Sequence, residues 1–207
     1  MPLNPSQEAL VNQAKSAQTP FDLGACFSAA WSALNRDLGR NLLLSLLGLL
    51  VLAVGSGLSF GLLAGPLFLG VIRLNQRILR GEPADANALF SGFSEFGPAL
   101  GLALVSGVLT AIGYLLCILP GLYLAVAWAA SWHLLADGRG SFWDCMEISR
   151  RAVTAHWGWA LLLILVAHVV GWVGVLACGI GLLLTLPFAI LVITAAFDRL
   201  LPRPSTL

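Results

Sequence analysis

Three long uncharged stretches, residues 41–72, 96–136 and 152–197, alternate with short segments that hold every Lys, Arg, Asp and Glu. Crossing a bilayer as a helix takes about 20 apolar residues, because the hydrocarbon layer is ~30 Å thick and a helix rises ~1.5 Å per residue. Each stretch is too long for one crossing and carries turn formers near its middle: Gly55-Ser56-Gly57, Cys117-Ile118-Leu119-Pro120-Gly121 and Cys178-Gly179-Ile180-Gly181. The pattern predicts an all-α polytopic membrane protein. Its six transmembrane helices form three hairpins, each preceded by an interfacial helix, with both termini on one face. The second stretch divides into residues 98–119 and 122–136. The first is the weakest, since residues 41–54 supply only about 21 Å of helix. Either Arg36 and Arg40 snorkel to lengthen it, or this hairpin dips in without crossing. A rival reading makes residues 42–64 a single span broken at Gly65-Pro66, giving five spans.

Sliding the chain by 121 positions superposes Phe21 on Phe142, Ser28 on Ser149, Pro66 on Pro187, Val71-Ile72 on Val192-Ile193 and Leu79 on Leu200. The spacing predicts a parallel internal repeat of an interfacial helix followed by a hairpin. In the middle section Asp85 caps a short helix bearing Leu89, Phe90, Phe93 and Phe96. The expected organisation is a cytoplasmic tail over residues 1–20, one membrane domain over 21–201 (units 21–80, 85–137 and 141–201) and a tail over 202–207. In residues 141–157, Phe142, Cys145, Ile148, Ala152 and Val153 recur at helical spacing, with Glu147 and Arg151 forming an i,i+4 pair. Such a helix lies in the headgroup layer and frames the next span.

The composition agrees: 58% of residues are hydrophobic and only 10% charged, against about 25% charged in soluble domains. A net charge of +1 gives no basic stripe for nucleic acid. Residues 1–20 lack the basic start and apolar core of a signal peptide. The ten Arg and one Lys act as topology signals that keep their loops in the cytoplasm. Both termini are therefore expected in the cytoplasm.

Spans associate through close packing, which small residues permit. Gly57, Gly61 and Gly65 repeat every four residues, as do Ala99, Ala103, Gly107 and Ala111, and Ala125 with Ala129. These rows are expected to pack helices within the protomer or to join copies. Trp157 and Trp159 sit where an aromatic belt would; Trp128, Trp132 and Trp172 are expected between helices.

No catalytic constellation emerges. Residues 57–61 match G-x-S-x-G, but the strand–turn–helix setting of a nucleophile elbow is missing. His168, the only ionisable residue far inside a span, is a candidate for a proton or substrate path, with the hydroxyls Ser106, Thr110 and Thr185 as companions. His133 and Asp137, with Asp198 near them, are too few for a metal site and read as a salt bridge or helix-end contact. Cys117 and Cys178 fall at outer turns, where a disulfide is open to them if that side is oxidising. Asp137-Gly138-Arg139-Gly140 lacks the Lys-Ser/Thr of a phosphate loop. No enzyme, metal or cofactor is expected.

The run from Leu119 to Tyr123, then Trp128, Ala136-Asp137-Gly138, Glu147, Ser149 and Trp157, with Gly179-Ile180-Gly181 and Pro187, resembles a group of uncharacterised bacterial multi-pass inner-membrane proteins. These are similar to the membrane domain attached to some glycerophosphodiester phosphodiesterases. The resemblance covers roughly residues 80–200. No phosphodiesterase domain is present in this sequence, so no catalytic residue carries over. It implies an inner-membrane location and a role near lipid or envelope metabolism. The leading functional expectation is a non-enzymatic membrane module that assembles with itself or another membrane protein. The alternatives are an oligomeric channel or transporter for small solutes, and a lipid-binding or membrane-shaping protein.

Overall fold

The computed structural model describes residues 3–17, 22–59, 61–176 and 181–202. All regular structure among them is helical. In chain order the α-helices are α1 (Pro5–Ser16), α2 (Leu23–Asn35), α3 (Leu38–Leu58), α4 (Ala64–Arg80), α5 (Asn87–Phe90), α6 (Phe96–Leu116), α7 (Ile118–Ala127), α8 (Ser131–Ala136), α9 (Phe142–Thr154), α10 (Trp157–Leu176) and α11 (Leu182–Leu200), with a 3₁₀ turn at Ser91–Glu95. Among the described residues four segments are long and apolar enough to cross a membrane: Leu38–Leu58, Asn87–Leu116, Ile118–Ala136 and Leu183–Leu200. A fifth results if α9 and α10, which meet at 99°, count as one broken span. The expectation of six spans is thus met only as far as four or five. α4 falls outside because it has 17 residues and ends in Arg73, Arg77 and Arg80. The first outbound helix is longer than its uncharged run, starting at Leu38 behind the side-chain cap of Asp37, which accepts from the Arg40 amide at 3.3 Å.

α3 packs on α4, α6 on α7 and α10 on α11. At the centre lies α4, which touches α2, α3, α5, α6, α8, α11 and the 3₁₀ turn. Missing side chains permit these approaches. A Cβ on Gly65 would stand 2.6 Å from the Ala99 carbonyl oxygen of α6. One on Gly70 would overlap the Leu89 carbonyl of α5, and one on Gly92 would overlap the Pro66 carbonyl. Pro66 is tolerated in the first turn, where its absent N–H has no helical partner anyway. The helix ends at Gly81, whose left-handed φ of 73° closes it.

Residues 3–17 differ from the loose tail expected over residues 1–20. α1 is fixed by a capping box, in which Asn4 Oδ1 accepts from the Gln7 amide and Gln7 Oε1 from the Asn4 amide, and Pro5 starts the helix. Leu10, Val11 and Ala14 share a buried face against α9. The Asn-x-x-Gln spacing was the signal in the sequence. α9 carries the same device in Ser141 and Asp144, and Glu147 bonds both Arg150 and Arg151. Asp85 caps α5 by accepting from the Ala88 amide at 3.1 Å. Leu89 is buried, while Phe90, Phe93 and Phe96 stack in series, the first two exposed and Phe96 half-buried.

Candidate functional site

Charged residues of α4, the 3₁₀ turn, the C-terminal cap of α8 and α11 meet at one end of the bundle. Arg80, near the end of α4, holds Asp137 at 3.1 Å and also Asp198 of α11. Arg73, two turns earlier, pairs with Glu95 and donates to the carbonyls of Ser91 (2.7 Å) and Ala136 (3.3 Å). Arg36 donates to the Ile78 and Leu79 carbonyls, Arg40 to Ala84, and Arg139 to Pro202 at 2.7 Å. Each guanidinium therefore ties its own segment to a carbonyl or carboxylate of another. Charged donors of this kind make the stronger hydrogen bonds. A cleft of about 440 Å³ opens here, lined among others by Arg73, Arg77, Arg80, Glu82, Glu95 and Asp137. Three cations and three carboxylates line it, so its lining carries no net formal charge.

Below this end the buried polar groups of α4 are matched to neighbours. Asn75 donates to the Val71 carbonyl at 2.8 Å and accepts from the Ser45 hydroxyl of α3 at 3.4 Å. Gln76 donates to the His133 carbonyl of α8. Thr194 gives its proton to the Ile190 carbonyl at 2.8 Å, so its oxygen is left to accept from His133 Nε2, 3.4 Å away. The His133 ring thus meets Thr194, while its carbonyl accepts from the Asp137 amide at 3.1 Å, the helix-end contact expected of this pair, and Arg80 binds the two carboxylates. Among the described residues no three His, Cys, Asp or Glu are grouped as metal ligands.

The intramembrane polar candidates are spread over α6, α10 and α11. Ser106 bonds the Leu102 carbonyl of its own helix α6, and Thr110 lies one turn further along α6. Thr185 of α11 bonds the Gly171 carbonyl of α10 at 3.4 Å. His168 Nδ1 bonds the Ile164 carbonyl one turn back at 2.8 Å, and its ring is exposed. It lines an apolar groove of about 350 Å³ between α10 and α11 that none of the three hydroxyl residues lines. A second apolar cavity of about 300 Å³ lies inside the bundle, between α3, α4, α8, α10 and α11, and is bordered by His133 and Thr194.

The small-residue rows divide. Gly65 packs against Ala99 and Ala103, drawing α4 onto α6. Gly57, Gly61 and Gly107 have nothing within 4 Å of a built Cβ, and Ala111 is exposed. Gly61 serves the turn after α3, with φ at 87°. In the G-x-S-x-G segment Ser59 donates to the Gly55 carbonyl at 2.7 Å and accepts from the Leu63 amide at 3.0 Å, acting as a turn cap. Trp132 packs edge-on against Phe68, 5.0 Å between centroids, whereas Trp172 is 69% exposed rather than held between helices.

Cys26 and Cys145 are buried, and burial raises both thiols, Cys145 to about 12, away from thiolate chemistry. Cys117 is free and exposed; the pairing with Cys178 lies outside the described residues. The Arg150 hydrogen bond, aided by Arg151, holds the Glu147 carboxyl down at about 2. Sequence reasoning passed over Arg73 and Arg80 as tying residues. Their spacing of seven, which puts both on one face of α4, was the available signal. Comparison with protein-family models, curated proteins and solved structures returns no match for this chain.

Proposed function

We propose that the protein is a non-catalytic integral membrane module that assembles with itself or with another membrane protein, acting as a scaffold or accessory subunit. The observation that carries this reading is the disposal of polar groups in the apolar layer. Ser106, Thr185 and His168 each bond a carbonyl of their own or the adjacent helix, on two separate parts of the bundle. A solute path needs polar groups arranged along one continuous cavity, and among the described residues the groove lined by His168 takes in neither Ser106 nor Thr185. What the bundle offers its surroundings is apolar surface. Leu104, Val108, Ile112 and Leu115 of α6 stand outward, as do Leu43, Leu47, Leu50 and Val54 of α3. In this reading three hairpins sit in a bacterial inner membrane. The arginine-rich end and both termini face the cytoplasm, where basic residues are retained, and α9 lies along the surface at a right angle to α10.

The test is native mass spectrometry of the tagged protein extracted gently from its own membrane. A defined homo-oligomer or a fixed complex with another membrane protein is expected. A bare monomer under conditions that preserve known complexes contradicts the proposal. Flux of small solutes into vesicles holding the purified protein would replace it with the channel reading.

A further inference from the structure

The arginine-lined cleft lies where all four candidate spans begin or end, at Leu38, Asn87, Ala136 and Leu200. Lipid headgroups occupy that level, just outside the ~30 Å of hydrocarbon. One wall of the cleft is a face of α4 that carries Arg73, Gln76, Arg77 and Arg80 at helical spacing. The others are the 3₁₀ turn, through Ser91 and Glu95, and the end of α8 at Asp137 and Gly138. Two of the three guanidiniums are fully engaged. Arg73 gives its three nitrogens to Ala136, Ser91 and Glu95, and Arg80 gives its three to Asp137 and Asp198. Arg77 sits one turn from each, half-buried, and among the described residues its side chain has no hydrogen bond or ion pair. A cation flanked by two others at the edge of hydrocarbon calls for a counter-charge. The opposite sign is also on offer. Arg73 takes one oxygen of Glu95, and the second oxygen of that carboxylate, on a side chain 34% exposed, has no partner among the described residues.

We propose that this cleft holds the headgroup of one zwitterionic phospholipid, a phosphatidylethanolamine, with its phosphodiester on Arg77 and its ammonium on the second oxygen of Glu95. The site goes beyond the assembly reading and does not depend on it. A guanidinium offers a planar fork that matches two phosphate oxygens at once. The lining carries no net formal charge, so a ligand with one charge of each sign fits it. A purely anionic headgroup would meet Glu82, Glu95 and Asp137 as well as the arginines. The cleft of about 440 Å³ has room for roughly fifteen water-sized groups, enough for a phosphoethanolamine and the glycerol behind it. Phe90 and Phe93, exposed on the segment that walls the cleft, give the first carbons of the acyl chains an apolar surface, which a soluble zwitterion would not use.

The experiment titrates the full chain in mild detergent with phosphatidylethanolamine or phosphatidylglycerol of identical acyl chains and counts bound lipids by native mass spectrometry. Protein stoichiometry is read from the same spectra, so assembly and lipid binding are judged separately. One phosphatidylethanolamine is expected to bind about two- to fivefold tighter than phosphatidylglycerol, the discrimination of one partly exposed ion pair. Arg77→Gln is expected to weaken it about tenfold, the loss of charge-assisted hydrogen bonds, and this side chain holds no other helix in place. Glu95→Gln is expected to bring phosphatidylethanolamine down to the level of phosphatidylglycerol, with the melting temperature checking that the chain stays folded. Arg199→Gln removes an exposed cation in the last turn of α11, outside the cleft, and is expected to change nothing. Binding equal in the native chain and Arg77→Gln would overturn the site. So would an equal loss in Arg199→Gln, which would reduce the effect to general charge attraction. Tighter binding of phosphatidylglycerol would overturn the zwitterionic headgroup as the ligand.

Discussion

Helix α4 carries three arginines, an asparagine and a glutamine in 17 residues, and most of its length is buried. Its neighbour α6 carries no charge in 21 residues, and only Ala99, Leu102 and Gly113 are buried. In a soluble protein the apolar helix would be the core and the polar one the surface. Here the order is reversed, which follows if the surroundings are hydrocarbon. Apolar side chains then cost nothing outside, while every polar group must find a partner inside. α4 finds them in Ser45, Glu95, Asp137, Asp198 and the His133 carbonyl. The hub of the fold is its most polar long helix, and the glycines at 65 and 70 let its neighbours reach it.

The strongest way to break this contrast is to crowd α4. Gly70→Val puts a branched side chain into the Leu89 carbonyl, where backbone rather than a flexible side chain must move. A loss of about 3 kcal/mol or more is expected, at the upper end of overpacking costs. It would appear as a collapse of the melting temperature in detergent. Gly107→Val on α6, with nothing within 4 Å, should leave that temperature unchanged. A Gly70→Val protein as stable as Gly107→Val would remove α4 from the centre.

Next in size is the polar end. Arg80→Ala strips Asp137 and Asp198 of their shared guanidinium, and the Arg80 and Asp137 side chains are only 14% and 6% exposed. Breaking a buried pair from one side typically costs about 3 kcal/mol. Arg80→Lys should recover only part of this, since one ammonium cannot reproduce a fork that spans two carboxylates. Full recovery with Lys would reduce the contact to simple charge balance.

The smallest effect belongs to the surface of α9. The carboxyl of Glu147 titrates at about 2 in the folded protein and at the ordinary 4.5 when free of its arginines. A lowered value means that its contribution is complete above about pH 4.5 and is lost as pH falls toward 2. Glu147→Gln should cost under about 1 kcal/mol at neutral pH, as exposed pairs do. It should also flatten the pH dependence of melting in that window. Unfolding profiles of the two proteins that coincide from pH 6 to pH 3 would show that the pairs contribute nothing.

Much of this contrast was legible in the chain. Charge clusters marked the polar end, and Ser141-x-x-Asp144 and Asp85 marked helix starts. The small-residue rows were only half legible. Spacing by four shows that residues share a face, not which way the face points, and the row from Gly57 to Gly65 runs through a turn at Gly61 rather than along one helix. For the same reason His168 could be placed at mid-depth from its position, but its outward orientation depends on how α10 rotates against α11. α1 was missed because its apolar stripe is only Leu10, Val11 and Ala14, too short to register against the long spans.

The central claim is that hydrocarbon, not water, covers the exposed apolar faces. Spin labels at residues 54, 108 and 169, in a background with the native cysteines replaced by alanine, would report it directly in vesicles. These positions on α3, α6 and α10 are all exposed. Oxygen, which concentrates in the bilayer, is predicted to relax all three labels far more than a water-soluble nickel chelate does. Nickel-dominated relaxation at these sites would put the faces in water and contradict the account.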